Sequence, residues 1–103
     1  MSTPKVLGGQ NLTANSITSL FDTLSVGAMF NLRVNNRNAT DIVFDLGFST
    51  SPSVFDNAMY LEHQLVIPAN GQLELTGLAI ETQHLLARSD TANVSVVAYG
   101  VEV

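Results

Sequence analysis

The chain has 103 residues and a mass of 11.0 kDa, the size of one domain and just long enough to bury a core of its own. It has no cysteine, which excludes disulfides and thiolate chemistry, and its nine acidic against four basic residues (net −5) leave too few cations to grip nucleic-acid phosphates. No apolar run approaches the ~18 residues of a membrane span, and Met-Ser-Thr-Pro-Lys-Val-Leu-Gly-Gly at the start has no apolar h-region, so neither a membrane segment nor a secretory signal is expected. Only 13% of residues are charged, about half the usual ~25%, while Ser, Thr and Asn occur nine times each. A surface of neutral hydrogen-bonding groups has little desolvation barrier to being covered, and is expected to pack against other protein.

In chain order, Lys5–Leu7 and residues 17–21 are short strand candidates on either side of Gly8-Gly9, and residues 1–16 are a candidate N-terminal arm. Residues 26–34 place Val26, Ala28, Phe30, Leu32 and Val34 on one face, and residues 41–48 place Ile42, Phe44, Leu46 and Phe48 on one face; this period of two is the strand signal. The turn-rich stretch 35–40 between them predicts a hairpin. Because directly opposed residues share a face, the hairpin pairs Val34 with Ile42, Leu32 with Phe44 and Phe30 with Leu46, or sits in the register two residues away. Residues 49–53 are a loop, 59–67 a strand, and Asn70-Gly71 a turn. Leu73–Leu75 and Leu78–Ile80 are short strands around Gly77, followed by a strand at 84–88, a loop at 89–93 and a strand at 94–103. In that last strand Val94 and Val96 are even while Val97, Tyr99, Val101 and Val103 are odd, which predicts a bulge near Val96-Val97. About eight short strands and no helix predict a single all-β domain over 1–103. The expected architecture is an antiparallel β-sandwich, jelly-roll-like or immunoglobulin-like.

No constellation of catalytic residues stands out. His63 and His84 are too few for a zinc site, and Glu62 and His63 point to opposite faces of one strand. There is no nucleophile elbow. Asp41, Asp45, Glu62, Glu74 and Glu81 form no marked carboxylate pair, and Asp45, outward by phase, reads as a solvated or edge-protecting charge. Residues 89–93 carry too few carboxylates for calcium, and Gly8-Gly9 reads as a turn. Sugar binding would ordinarily use exposed aromatics; with no Trp, Tyr60 and Tyr99 are the candidates, and both read as core-rim residues. No enzyme activity, cofactor or metal is expected.

Two stretches carry a family resemblance. Leu65-Val-Ile-Pro-Ala-Asn-Gly-Gln-Leu-Glu-Leu-Thr-Gly77 is similar to a recurring "lPangslelTG" pattern, and residues 86–102, with Arg88-Ser, Asn93-Val-Ser-Val and Tyr99-Gly-Val-Glu102, to a "vrSsaanVsvsvyGiE" ending. The front half resembles the same family in Lys5-Val-Leu-Gly8 and in Val34-Asn-Asn-Arg-Asn-Ala-Thr40, and departs from it over residues 20–26, where a customary Pro is missing. The family is that of small virion structural proteins of tailed bacteriophages, common in phages of cyanobacteria and marine bacteria, and the likeness spans nearly the whole chain. The resemblance implies a viral structural protein located in the virion and made in the bacterial host cytoplasm. The favoured role is a capsid decoration (cement) protein that binds the major capsid protein lattice as a homotrimer and stabilises the head. A tail, baseplate or fibre-associated protein is the runner-up, and a carbohydrate-binding module for host attachment the reading from another class. Neither nucleic acid, membrane nor small-molecule substrate is expected as a partner. Candidate partner-binding residues are Lys5, Val6 and Leu7 in the arm and Tyr99, Val101 and Val103 in the odd row. That row is either turned inward after the bulge or left outward as a patch for a partner.

Overall fold

The computed structural model describes residues 5–20, 27–80 and 84–102. They form eight strands and no helix: β1 (Lys5–Leu12), β2 (Thr18–Ser19), β3 (Ala28–Asn36), β4 (Ile42–Ser49), β5 (Tyr60–Ile67), β6 (Gln72–Ile80), β7 (His84–Ser89) and β8 (Val94–Glu102). Two antiparallel sheets of four face each other, sheet A in the order β1-β8-β3-β6 and sheet B in the order β2-β7-β4-β5. Each of the pairs β1·β8, β2·β7, β3·β6 and β4·β5 joins strands equally far from the middle of the chain. A long hairpin rolled up around its own axis leaves these pairs, and this is the jelly-roll strand order. Of the two predicted architectures, the observed order is therefore the jelly roll.

The period-two reading of the core is correct from Ala28 onward, Val26 lying outside the described residues. Ala28, Phe30, Leu32 and Val34 of β3 and Ile42, Phe44 and Leu46 of β4 are buried, and Phe48 packs half-buried against them. Leu12, Val94, Val96 and Ala98 complete the sheet A side, with Leu85, Ala87 and Ile67 on the sheet B side.

The predicted hairpin is not formed. β3 pairs with β6 and β8, while β4 pairs with β5 and β7, so the even-numbered side chains of β3 and β4 meet across the interior instead of lying side by side. Alternation assigns a residue to a face but does not select the neighbouring strand. What turns the chain from one sheet to the other is Asn36, buried at the end of β3. Its side-chain NH2 lies 2.9 Å from the carbonyl oxygen of Thr40, 3.1 Å from that of Ile67 and 3.0 Å from that of Pro68. Its Oδ1 accepts from the backbone N–H and the side-chain amide of Asn38. One side chain thus ties the β3–β4 crossing to the β5–β6 turn.

Three further expectations change. Residues 72–80 form one strand rather than two: Thr76 and Gly77 are looped out against Asn31, with Gly77 at φ +71° and its N–H donating to Asn31 Oδ1 at 3.1 Å. The predicted bulge at Val96-Val97 is absent, since β8 pairs with β3 without a break from Val94 to Glu102; the irregularity lies in β1 at Leu7. Residues 5–12, placed by the sequence in a candidate arm, lie in the edge strand β1 of sheet A. Ile17 precedes the two-residue β2, and Leu20 follows it.

Candidate functional site

The outer faces of the two sheets are unlike. On sheet B, Asp45, Gly47, Ser49 and Leu86 point outward by strand phase, yet all are buried. The β4–β5 connection, residues 50–59, returns across this face. Ser49 Oγ donates to the Val54 carbonyl at 2.6 Å, the Phe55 ring stacks on Tyr60 at 5.0 Å, and the Arg88 guanidinium lies over Phe55. Tyr60 in turn leans on His63, and Gly47 allows Met59 and Tyr60 to approach, because a Cβ there would meet the Met59 carbonyl oxygen at 3.1 Å.

Asp45 is not a solvated charge. It is 4% exposed, paired with Arg88 Nη2 at 2.9 Å, and accepts the Gln64 N–H at 2.8 Å. Gln64 can donate there because its left-handed backbone (φ 54°) sits in the irregular stretch of β5. At the other end of this sheet, Ser19 Oγ and His84 Nδ1 lie 3.2 Å apart. Asp90 accepts from the Val43 N–H and from Thr91 Oγ1, which commits its carboxylate to shaping the β7–β8 turn. Among the described residues no group of three or more His, Asp or Glu comes together in a way that could hold a metal ion.

On sheet A no described connection crosses the outer side. Its odd-numbered residues on β3 and β8 point outward, and cross-strand pairing sorts them into four levels along the strands. The first is apolar: Val101, Met29 and Ala79. The second holds Val6, Tyr99 and Asn31. The third holds Gly9, Val97, Arg33 and Glu74. The fourth holds Asn11, Ser95, Asn35 and Gln72. Met29 is 58% and Val6 67% exposed, and what is informative is that they adjoin half-buried Tyr99 and Val101 in one patch. With strands ~4.8 Å apart and same-face residues ~7 Å apart, Val101, Met29, Ala79, Val6, Tyr99 and Val97 together cover roughly 200 Å² in projection. Arg33 and Glu74 in the third level pair with each other at 3.9 Å, so the charges that border this patch among the described side chains are balanced.

Three candidate partner-binding residues are therefore brought together. Val6 and Tyr99 are direct cross-strand neighbours, and Val101 lies one level on. Leu7, at the β1 irregularity, packs half-buried against the core and is not part of the face. Lys5 pairs through its backbone with Gly100, its side chain and Val103 lying outside the described residues. Met29 and Ala79 belong to the patch and were missed; the signal for Met29 was present in the sequence, since the phase that sends Phe30 inward sends Met29 outward. Neither tyrosine is a core-rim residue: Tyr99 lies on the open face and Tyr60 under the β4–β5 connection.

No family model, curated protein or solved structure matches this chain.

Proposed function

We propose that this chain is a structural protein of a tailed-phage virion, and that it acts as a capsid decoration protein: a homotrimer that docks on the major capsid protein lattice and cements the head. The observation that carries the reading is the uncharged patch on the outer face of sheet A, where exposed Val6 and Met29 stand beside half-buried Tyr99 and Val101 and no other described element lies over them. The likeness to phage virion proteins points the same way, and jelly rolls are common shells and shell attachments, although fold alone does not assign a role.

The patch suits a lattice better than a lone partner. Its area of roughly 200 Å² is well short of the ~800 Å² per partner of a stable two-body interface. A trimer engaging three equivalent capsid sites multiplies a weak contact through effective concentration. The low charge of the chain lets the surrounding surface approach the shell with little desolvation penalty.

The test combines copy-number mass spectrometry of purified virions, light scattering of the isolated protein, and binding to empty capsids of the parent phage. Hundreds of copies per particle, a trimeric mass and capsid binding that is lost in Met29→Asp and Val101→Asp are expected. A few dozen copies or fewer would instead place the protein in the tail. A stable monomer that leaves empty capsids unbound would overturn the decoration role.

A further inference from the structure

The far end of the open face carries hydrogen-bonding groups that the fold does not use, and what they bind is a question independent of the virion reading. Asn11, Ser95, Asn35 and Gln72 lie in register across all four strands of sheet A, a row about 14 Å long at ~4.8 Å per strand step. With Arg37 and Asn70 at its rim, the row borders an open cleft of about 340 Å³. Among the described residues, the side chains of Asn35, Asn70 and Ser95 make no hydrogen bond. Asn11 engages only its Oδ1, which accepts from Arg37 Nη2 at 2.8 Å, and Gln72 only its Oε1, which accepts from Arg33, so both keep a free NH2 group.

The floor and wall of the cleft are held in place. The Asn36 N–H donates to the Gly71 carbonyl at 2.9 Å, the Gly71 N–H to Pro68 at 2.8 Å, and the Asn70 N–H to Asn38 at 3.0 Å. Asn70 occupies a left-handed conformation (φ 57°), which asparagine tolerates better than most residues. A Cβ on Gly71 would lie 2.8 Å from the Pro68 carbonyl oxygen, so the turn is built around this dipeptide. A site fixed in advance loses little freedom when it is filled.

The chemistry narrows the ligand. Asn35 and Asn70 offer both donors and an acceptor, while Asn11 and Gln72 offer their NH2 donors. Among the described residues no carboxylate and no large apolar side chain lines the cleft, and the one guanidinium there, of Arg37, is bonded to Asn11. An anion calls for more positive charge than this, and an apolar molecule finds nothing to lie against. A neutral polyhydroxylated molecule matches the row group for group. We propose that this row is a saccharide-binding site that takes a neutral oligosaccharide laid across the strands. Tyr99 stands two levels away, so binding here rests on hydrogen bonds without aromatic stacking. The net gain per hydrogen bond is modest, and the affinity expected of a single site is about 1 mM.

The test is ¹⁵N NMR of the full chain titrated with maltotriose, cellotriose, mannotriose and triacetylchitotriose, with inorganic phosphate as the charged comparison. Saturable shifts of the Asn35, Asn70 and Gln72 side-chain amides with at least one trisaccharide are expected. Affinity should weaken about tenfold, the loss of ~1.4 kcal/mol, in Asn35→Ala and in Gln72→Ala, both surface changes. Met29→Asp, at the opposite end of the face, should leave it unchanged and so separates this site from the docking patch. Absence of saturation with all four sugars, equal affinity in Asn35→Ala, or response to phosphate alone would each overturn the proposal.

Discussion

Replacing Asn36 by Asp tests the crossing between the sheets most directly. The two side chains have the same shape, and Asp keeps an acceptor for Asn38. It loses the NH2 group that lies within 3.1 Å of three carbonyl oxygens at a position 2% exposed to solvent. Two donor hydrogens disappear, and each buried acceptor left without a donor costs about 1–3 kcal/mol. The variant should lose about 2–6 kcal/mol at neutral pH, a large part of the ~5–15 kcal/mol that holds a domain folded. The loss should depend on pH with a definite sign. A carboxylate facing carbonyl oxygens in a buried site is disfavoured when charged, so its folded pKa lies above the unfolded ~3.9. Stability is then highest below the unfolded value, where the acid is neutral and can donate one O–H, and is lost as pH rises through the folded value. Urea unfolding of both proteins between mildly acidic and neutral pH measures this, and the gap should narrow toward about pH 4. A loss below about 1 kcal/mol at neutral pH, or a gap that does not change with pH, would refute the role assigned to Asn36.

Leu32 is fully buried, and Leu32→Ala should cost about 2–5 kcal/mol in the same urea assay; a near-neutral result would mean that the β3 phase is wrong. Gly100→Ala should be destabilising by about 3 kcal/mol, because a Cβ there would meet the Met29 carbonyl oxygen and lie 2.6 Å from Phe30 Cα; a variant as stable as the parent would show that β3 and β8 do not approach this closely. Arg88→Ala leaves Asp45 with the Gln64 N–H as its remaining donor, and with the Arg88 side chain 39% exposed the cost should be about 1–3 kcal/mol. Adding Asp45→Asn should restore part of it, and full independence of the two changes in a double-mutant cycle would exclude the ion pair.

The core was legible in the sequence and the strand partners were not, for a physical reason. Alternation reports which side of a sheet a residue faces, and Phe30, Leu32, Phe44 and Leu46 obey it. Pairing depends on where each link goes, and in this topology every link but β4–β5 leaves its sheet. The open face produced the most instructive error. Val97, Tyr99 and Val101 are apolar and outward, and an apolar outward row in a sequence is indistinguishable from a slip of phase, so it suggested a bulge in a strand that runs straight. Asp45 was misread because the Arg88 that covers it is forty-three residues away and meets it only through the β4–β7 pairing. The row of Asn11, Ser95, Asn35 and Gln72 comes from four separate strands, and its members share no spacing in the chain that could announce it.

The pairing of β1 with β8 also bears on how the protein is made. Among the described residues β1 lies at the edge of sheet A and pairs with β8, and β3 is separated from β1 by that same strand. As the chain leaves the ribosome, β4 and β5 can pair at once, β3 can pair with β6 and β7 can join β4, but sheet A is not complete until β8 has been synthesised. For most of synthesis, then, Lys5–Leu12 waits unpaired and one face of the core, including Phe30 and Leu32, stays without its full cover. Closing contacts between the most distant parts of a chain is slow, on the order of milliseconds to seconds for sandwiches of this kind. The β-edge left open in the meantime makes the nascent chain most prone to aggregate just before its last strand emerges.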